Sequence, residues 1–136
     1  MIAPIHPHLL AGKKVLVIDD SVAEQFIIAR SLVATGAVLY PAYNGTDGIN
    51  VAKAITPDLI ILDKVLPDLS PLYILDKIKR EVPGKPSVII YTANTRNEDW
   101  PVLQAAGAIK LLIKYLPAEE LIKTLSTHLP AAISCA

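Results

Sequence analysis

The chain is short of cysteine, of aromatic residues and of any excess charge, and each shortage removes a class of function. Cys135 is the only cysteine, so no internal disulfide can form and a reducing compartment, the cytoplasm, is the expected location. Thirteen basic residues stand against thirteen acidic ones, a formal net charge of zero, which argues against a nucleic-acid-binding stripe or a patch for anionic membranes. No apolar run approaches the roughly 20 residues of a membrane helix. Residues 1–12, with Pro4, His6, Pro7 and His8, lack the basic-then-apolar pattern of a secretory signal and are expected to be a flexible leader.

Apolar residues, in contrast, make up 52% of the 136 positions. That is enough for one buried core, so a single domain is expected over residues 13–129, with a flexible tail over 130–136. Its organising stretch is residues 57–67, PDLIILDKVLP. Leu59, Ile60, Ile61 and Leu62 are apolar without alternation, which predicts a strand covered on both faces, as in a parallel sheet between helices. Val15 to Ile18 and Val88 to Tyr91 read the same way. Ala37 to Tyr40, halted by Pro41, and Ala108 to Ile113, carrying Lys110, belong at sheet edges.

Helical patterns separate these strands. A capping box of Ser21 and Glu24 opens the first, with Val22, Phe26, Ala29 and Val33 expected on its core face and Gly36 as its stop. The second runs from Thr46 to Ile55 and is weakened by Gly48. Ser70 and Pro71 start the third, which carries Leu72, Leu75, Ile78 and Val82 on one face. The fourth must be short, because Pro101 fits only in a first turn and Gly107 ends it. Pro117 opens the fifth, with Leu121, Leu125 and Leu129 inward. Five β-α repeats with right-handed crossovers predict a doubly wound, flavodoxin-like α/β fold. Its five-stranded parallel sheet has the order 2-1-3-4-5, helices on both faces, and a switch point between the first and third strands.

The expected strands end in polar residues: Asp19 and Asp20, Asp63, Thr92 and Lys114. Since Ser21 supplies a helix cap, the adjacent carboxylates of Asp19 and Asp20 are left to repel one another unless a cation or proton lies between them, which favours a metal site. Asp63 leaves its strand at the carboxyl edge, where open α/β sheets bind ligands.

The pieces VLVIDDS, PDLIILDKVLPD, VIIYTA and AGAIKLLIK, with their spacing, resemble the response-regulator receiver domain of bacterial two-component signalling over about residues 14–129. The resemblance implies that Asp63 accepts a phosphoryl group from a sensor histidine kinase or a histidine phosphotransfer protein. It also implies that Mg²⁺ is held by Asp20, Asp63 and the backbone carbonyl of Val65, with Asp19 acting through bound water. Lys114 and Thr92 would meet the transferred oxygens, and small Ala93 would leave access to them. Such a domain is no enzyme beyond assisting its own phosphorylation and dephosphorylation. It would signal to a downstream protein through the surface of the fourth helix, fifth strand and fifth helix. Homodimerisation is left open, as is the choice between a stand-alone regulator and a piece of a hybrid kinase.

The chain departs from the family pattern in several places. Leu111 stands where an aromatic switch residue is common, with Tyr115 as a candidate replacement ring. Lys114-Tyr115 replaces a Lys-Pro bond that is commonly cis, so a trans bond is expected. Leu116 replaces a capping Asp before the last helix, Pro71 replaces a common glycine, and Lys64 adds a charge beside Asp63. These departures support an alternative, a pseudo-receiver that binds partners without phosphate. An aspartyl-phosphate hydrolase is disfavoured because Val65 occupies the place of its second acid, and a flavin or dinucleotide binder because no G-x-G-x-x-G follows the first strand.

Overall fold

A computed structural model describes residues 8–129 of the chain. The expected tail, residues 130–136, lies outside the described residues, as do residues 1–7 of the expected leader. Five strands, β1 (Lys14–Ile18), β2 (Val38–Ala42), β3 (Leu59–Leu62), β4 (Ser87–Thr92) and β5 (Ala108–Ile113), alternate with five helices. The helices are α1 (Val22–Leu32), α2 (Gly45–Ile55), α3 (Pro71–Glu81), α4 (Trp100–Ala105) and α5 (Ala118–Thr127). The sheet is wholly parallel with the order β2-β1-β3-β4-β5, as the strand patterns predicted.

Successive side chains of the central strands enter opposite halves of the core. Leu16, Ile18, Ile60, Leu62 and Ile90 pack with Ile49, Ile74, Ile78 and Leu103 from α2, α3 and α4. Val15, Val17, Leu59, Ile61, Ile89 and Tyr91 pack with Ile28 and Leu32 of α1 and Leu121 and Leu125 of α5. Covering on both faces explains why these strands are unbroken apolar runs. Pro41 lies within β2 rather than after it, opposite Val17; on an edge strand its missing N–H costs the sheet no ladder bond.

Two expectations about helix faces are corrected. The stripe Val22, Phe26, Ala29 and Val33 does not face the core: Val22, Phe26 and Val33 are 71%, 61% and 78% exposed, and Ala29 is exposed as well. The buried face of α1 is Glu24, Gln25, Ile28 and Leu32. Apolar residues surround this helix, so periodicity alone fits more than one face, and hydrogen bonding at the sheet end decides between them. On α3 the core face is Ile74, Leu75 and Ile78, with Val82 buried just beyond the helix, while Leu72 is exposed.

The expected leader is also corrected in part. The amides of His8, Leu10 and Gly12 donate to the carbonyls of Ala34, Thr35 and Gly36, and Leu10 is buried within the α1/α5 half of the core. Residues 8–12 therefore dock on the domain.

Gly48 has a packing purpose. A Cβ built there would stand 2.6 Å from Ile18 Cδ1 and 2.8 Å from Ile18 Cγ1, so the residue that lowers the helix propensity of α2 also lets it approach β1. The Lys114-Tyr115 bond is trans, as expected; no cis peptide occurs among the described residues.

Candidate functional site

The carboxyl edge of the sheet gathers the charged residues. β1 ends at Ile18 and β3 at Leu62, paired in register, and the Asp63 amide donates to the Ile18 carbonyl at 2.9 Å. This extra rung sets Asp63 beside the residues that follow Ile18. One carboxylate oxygen from each of Asp19, Asp20 and Asp63 lies within 4.8 Å of the others.

Lys114 reaches the cluster from beyond β5, held by its backbone N–H donating to the Thr92 carbonyl at 2.7 Å. Its ammonium lies 2.7 Å from Asp19 Oδ2 and 3.5 Å from Asp63 Oδ2, and the three side chains are 7%, 3% and 11% exposed respectively. Burial alone would lower the lysine's proton affinity. The Asp19 hydrogen bond and the charges of Asp63, Asp19 and Glu24 outweigh it and hold the ammonium above the ordinary lysine value. For Asp63, burial raises the carboxyl above its usual range; the Lys114 charge opposes that rise and the Asp19 charge adds to it.

Val65 and Thr92 adjoin this cluster through Asp63 and Lys114. Thr92 ends β4, is 2% exposed, and its hydroxyl oxygen accepts from the Asn94 amide at 3.1 Å, leaving its proton to donate elsewhere. The Val65 amide donates to Asp63 Oδ1 at 3.4 Å. Ala93 is exposed. Leu111 packs against the α2/α3/α4 half of the core, while Tyr115 is 70% exposed with a left-handed φ of 73°. Tyr115 is thus turned outward, and the half-buried loop it belongs to is anchored by the Leu116 amide donating to the Tyr91 hydroxyl at 3.4 Å. α5 starts without a side-chain cap, as Leu116 predicted.

Three residues support the site in ways the sequence did not show, although Lys64 was visible there as a charge beside Asp63. Asp68 accepts from the Gly45 and Thr46 amides at 2.7 and 2.9 Å and from the Thr46 hydroxyl at 2.8 Å, tying the loop after Asp63 to the start of α2. Its carboxyl is held below the ordinary value: desolvation, the largest single influence, raises it, but those donors together prevail. Lys64 donates to Asp99 at 2.7 Å and Asn97 at 3.2 Å, joining the loops after β3 and β4. Gln25 is buried against the end of β1. Asp68 and Lys64 join segments distant in sequence, and Gln25 serves carbonyls at the ends of β1 and β2 that no pattern in its own helix announces.

The half of the capping box that holds is Ser21 Oγ accepting from the Glu24 amide at 3.1 Å. The Ser21 amide itself donates to Asp19 Oδ1 at 2.9 Å. Asp19 is therefore partnered at both carboxylate oxygens by the protein. Asp20 is exposed and, among the described residues, has no cationic partner. Three clustered carboxylates with one lysine between two of them leave negative charge uncompensated, and their hard oxygens suit Mg²⁺.

Known proteins give the family and the fold. The family model for the response regulator receiver domain matches residues 15–126, and the chain belongs to that family. A receiver is a signalling module of two-component systems, whose partners are histidine kinases, rather than a classical enzyme. The chain is 33% identical over 108 residues to the probable transcriptional regulatory protein TcrX of Mycobacterium tuberculosis, covering 79% of this chain and 46% of the relative. It is 31% identical over 121 residues to the nitrate/nitrite response regulator NarL of Escherichia coli, covering 88% and 49%. The chain thus spans about half the length of these two relatives. Its structure superposes with a TM-score of 0.76 on the receiver domain of the sensor histidine kinase PA1611 of Pseudomonas aeruginosa. That alignment has 25% identity, covers 86% of this chain and 97% of the other, and the PA1611 receiver has a magnesium ion in its active-site cleft.

Proposed function

We propose that this domain takes a phosphoryl group from a phosphohistidine onto Asp63 and passes its state on by protein–protein contact in a cytoplasmic two-component phosphorelay. The observation that supports this most is the meeting of the three carboxylates within 4.8 Å with Lys114 bridging two of them. An Asp63 oxygen forms the new O–P bond while the donor's P–N bond breaks and its electron pair returns to the imidazole. Asp20, Asp63 and the Val65 carbonyl would hold Mg²⁺, with Asp19 acting through its water. When bound, the ion supplies positive charge to the transferring oxygens. Lys114 stabilises the same developing charge, and the Thr92 hydroxyl donates to a phosphoryl oxygen. The donor is a sensor histidine kinase or a histidine phosphotransfer protein. The output surface is α4, β5 and α5, where Val102 of α4 and Ile109 of β5 are 53% and 38% exposed and Tyr115, in the loop between β5 and α5, is 70% exposed.

The test is labelling by acetyl phosphate with Mg²⁺. Asp63→Asn should abolish it, and undiminished labelling refutes the assignment. The outward Tyr115 and the inward Leu111 favour a second reading, a silent interaction module. Amide spectra with Mg²⁺ and beryllofluoride separate the two: shifts around Asp63 and Thr92 support phosphoacceptance, and unchanged spectra support the silent module.

A further inference from the structure

Gln25 lies in the first turns of α1, its amide bonded to the Ser21 carbonyl, and only 8% of it is exposed. Its side-chain nitrogen stands 2.9 Å from the Val17 carbonyl, 3.1 Å from the Asp19 carbonyl and 3.0 Å from the Ala42 carbonyl. A carboxamide NH₂ has two hydrogens, so three acceptors share them. The Ala42 carbonyl also accepts from the Asp19 amide at 3.0 Å. Asp19 is consequently gripped at every polar end: its N–H by Ala42, its C=O by Gln25, and its two carboxylate oxygens by Ser21 and Lys114.

The geometry points to Gln25 as a positioning residue for the metal site, one that orients Asp20 by fixing the peptide between Asp19 and Asp20. The reasoning is stereochemical. The Asp19 carbonyl is rigidly coplanar with the Asp20 amide, so holding that oxygen fixes the plane from which the Asp20 Cα–Cβ bond departs. Past Ile18 the sheet itself no longer constrains that peptide on the carbonyl side, because the last β1–β2 pair is Ile18 with Ala42. Gln25 supplies the missing restraint. A glutamine that merely satisfied buried carbonyls would contribute to folding alone; this one contacts the turn bearing two of the three acids.

The inference rests on the proposed Mg²⁺ site and is tested on the full chain by calorimetric titration with Mg²⁺, well below each variant's melting temperature. Gln25→Met keeps the size and removes the donors, and should weaken Mg²⁺ binding about tenfold, as loss of a supporting partner typically does. Gln25→Glu separates positioning from charge: it adds a negative group near the site, which by attraction alone would tighten binding, yet it removes the donors and should weaken it. Unchanged affinity in Gln25→Met, with or without a lower melting temperature, overturns the positioning role, and so does tighter binding in Gln25→Glu. A wild-type chain that neither binds Mg²⁺ nor accepts label at Asp63 is a distinct result; it removes the site reading itself, and this inference with it.

Discussion

Among the described residues, Lys114 and Asp19 form the most enclosed charge pair, with side chains 7% and 3% exposed. Removing one partner of such a pair leaves the other charge buried without compensation, which costs about 3 kcal/mol. Lys114→Met should therefore destabilise the Mg²⁺-free domain by about that amount, measured by urea unfolding, and Mg²⁺ should recover part of the loss by supplying positive charge. Recovery of nothing would argue against an ion among the acids. At this scale the sequence exposed the acids and the lysine well, because each ends a recognisable strand. It did not show that Asp19 is spoken for at both oxygens while Asp20 is not, since that distinction depends on Lys114, ninety-five positions away, and on the turn geometry at Ser21.

Among the elements, α1 and α2 teach opposite lessons. In α2 the sequence marked Gly48 as a weakness of the helix, and the fold uses it as a point of close approach. Gly48→Ala raises helix propensity by about 1 kcal/mol, but its methyl group would overlap Ile18 at 2.6 Å. Overpacking of this kind costs roughly 1–3 kcal/mol, so a net lowering of the thermal midpoint is expected; a raised midpoint would show that β1 yields easily. In α1 the apolar stripe chosen by spacing faces outward, and two polar side chains, Glu24 and Gln25, face inward. Hydrophobic periodicity could not select that face, because the carbonyls that attract Gln25 belong to β1 and β2. The segment before β1 hides its packing for a related reason: Leu10 has no periodic partners in sequence, yet it is 1% exposed. Leu10→Ala should cost about 2–4 kcal/mol in denaturant unfolding, where a loose leader would give almost no change.

For the whole molecule, the decisive consequence of the sheet order is that β1 and β3 become neighbours and bring Asp63 to Asp19 and Asp20. Binding at that junction stabilises only the folded chain, so Mg²⁺ should raise the melting temperature, by the equivalent of about 2.7 kcal/mol at a hundredfold excess over Kd. Asp20→Asn should remove most of this increment, as followed by calorimetric melting. The sequence by itself determined the parallel sheet, its strand order, the edge places of β2 and β5 and the identity of the acids, because uninterrupted apolar runs, prolines and turn residues act locally and leave few topologies open. Only the tertiary structure decided which face of α1 is buried, that Leu10 belongs to the core, how Gln25 holds the ends of β1 and β2, and how Lys64 and Asp68 brace the loop after Asp63. Those are contacts between different elements, and their partners come into reach only once the sheet has assembled.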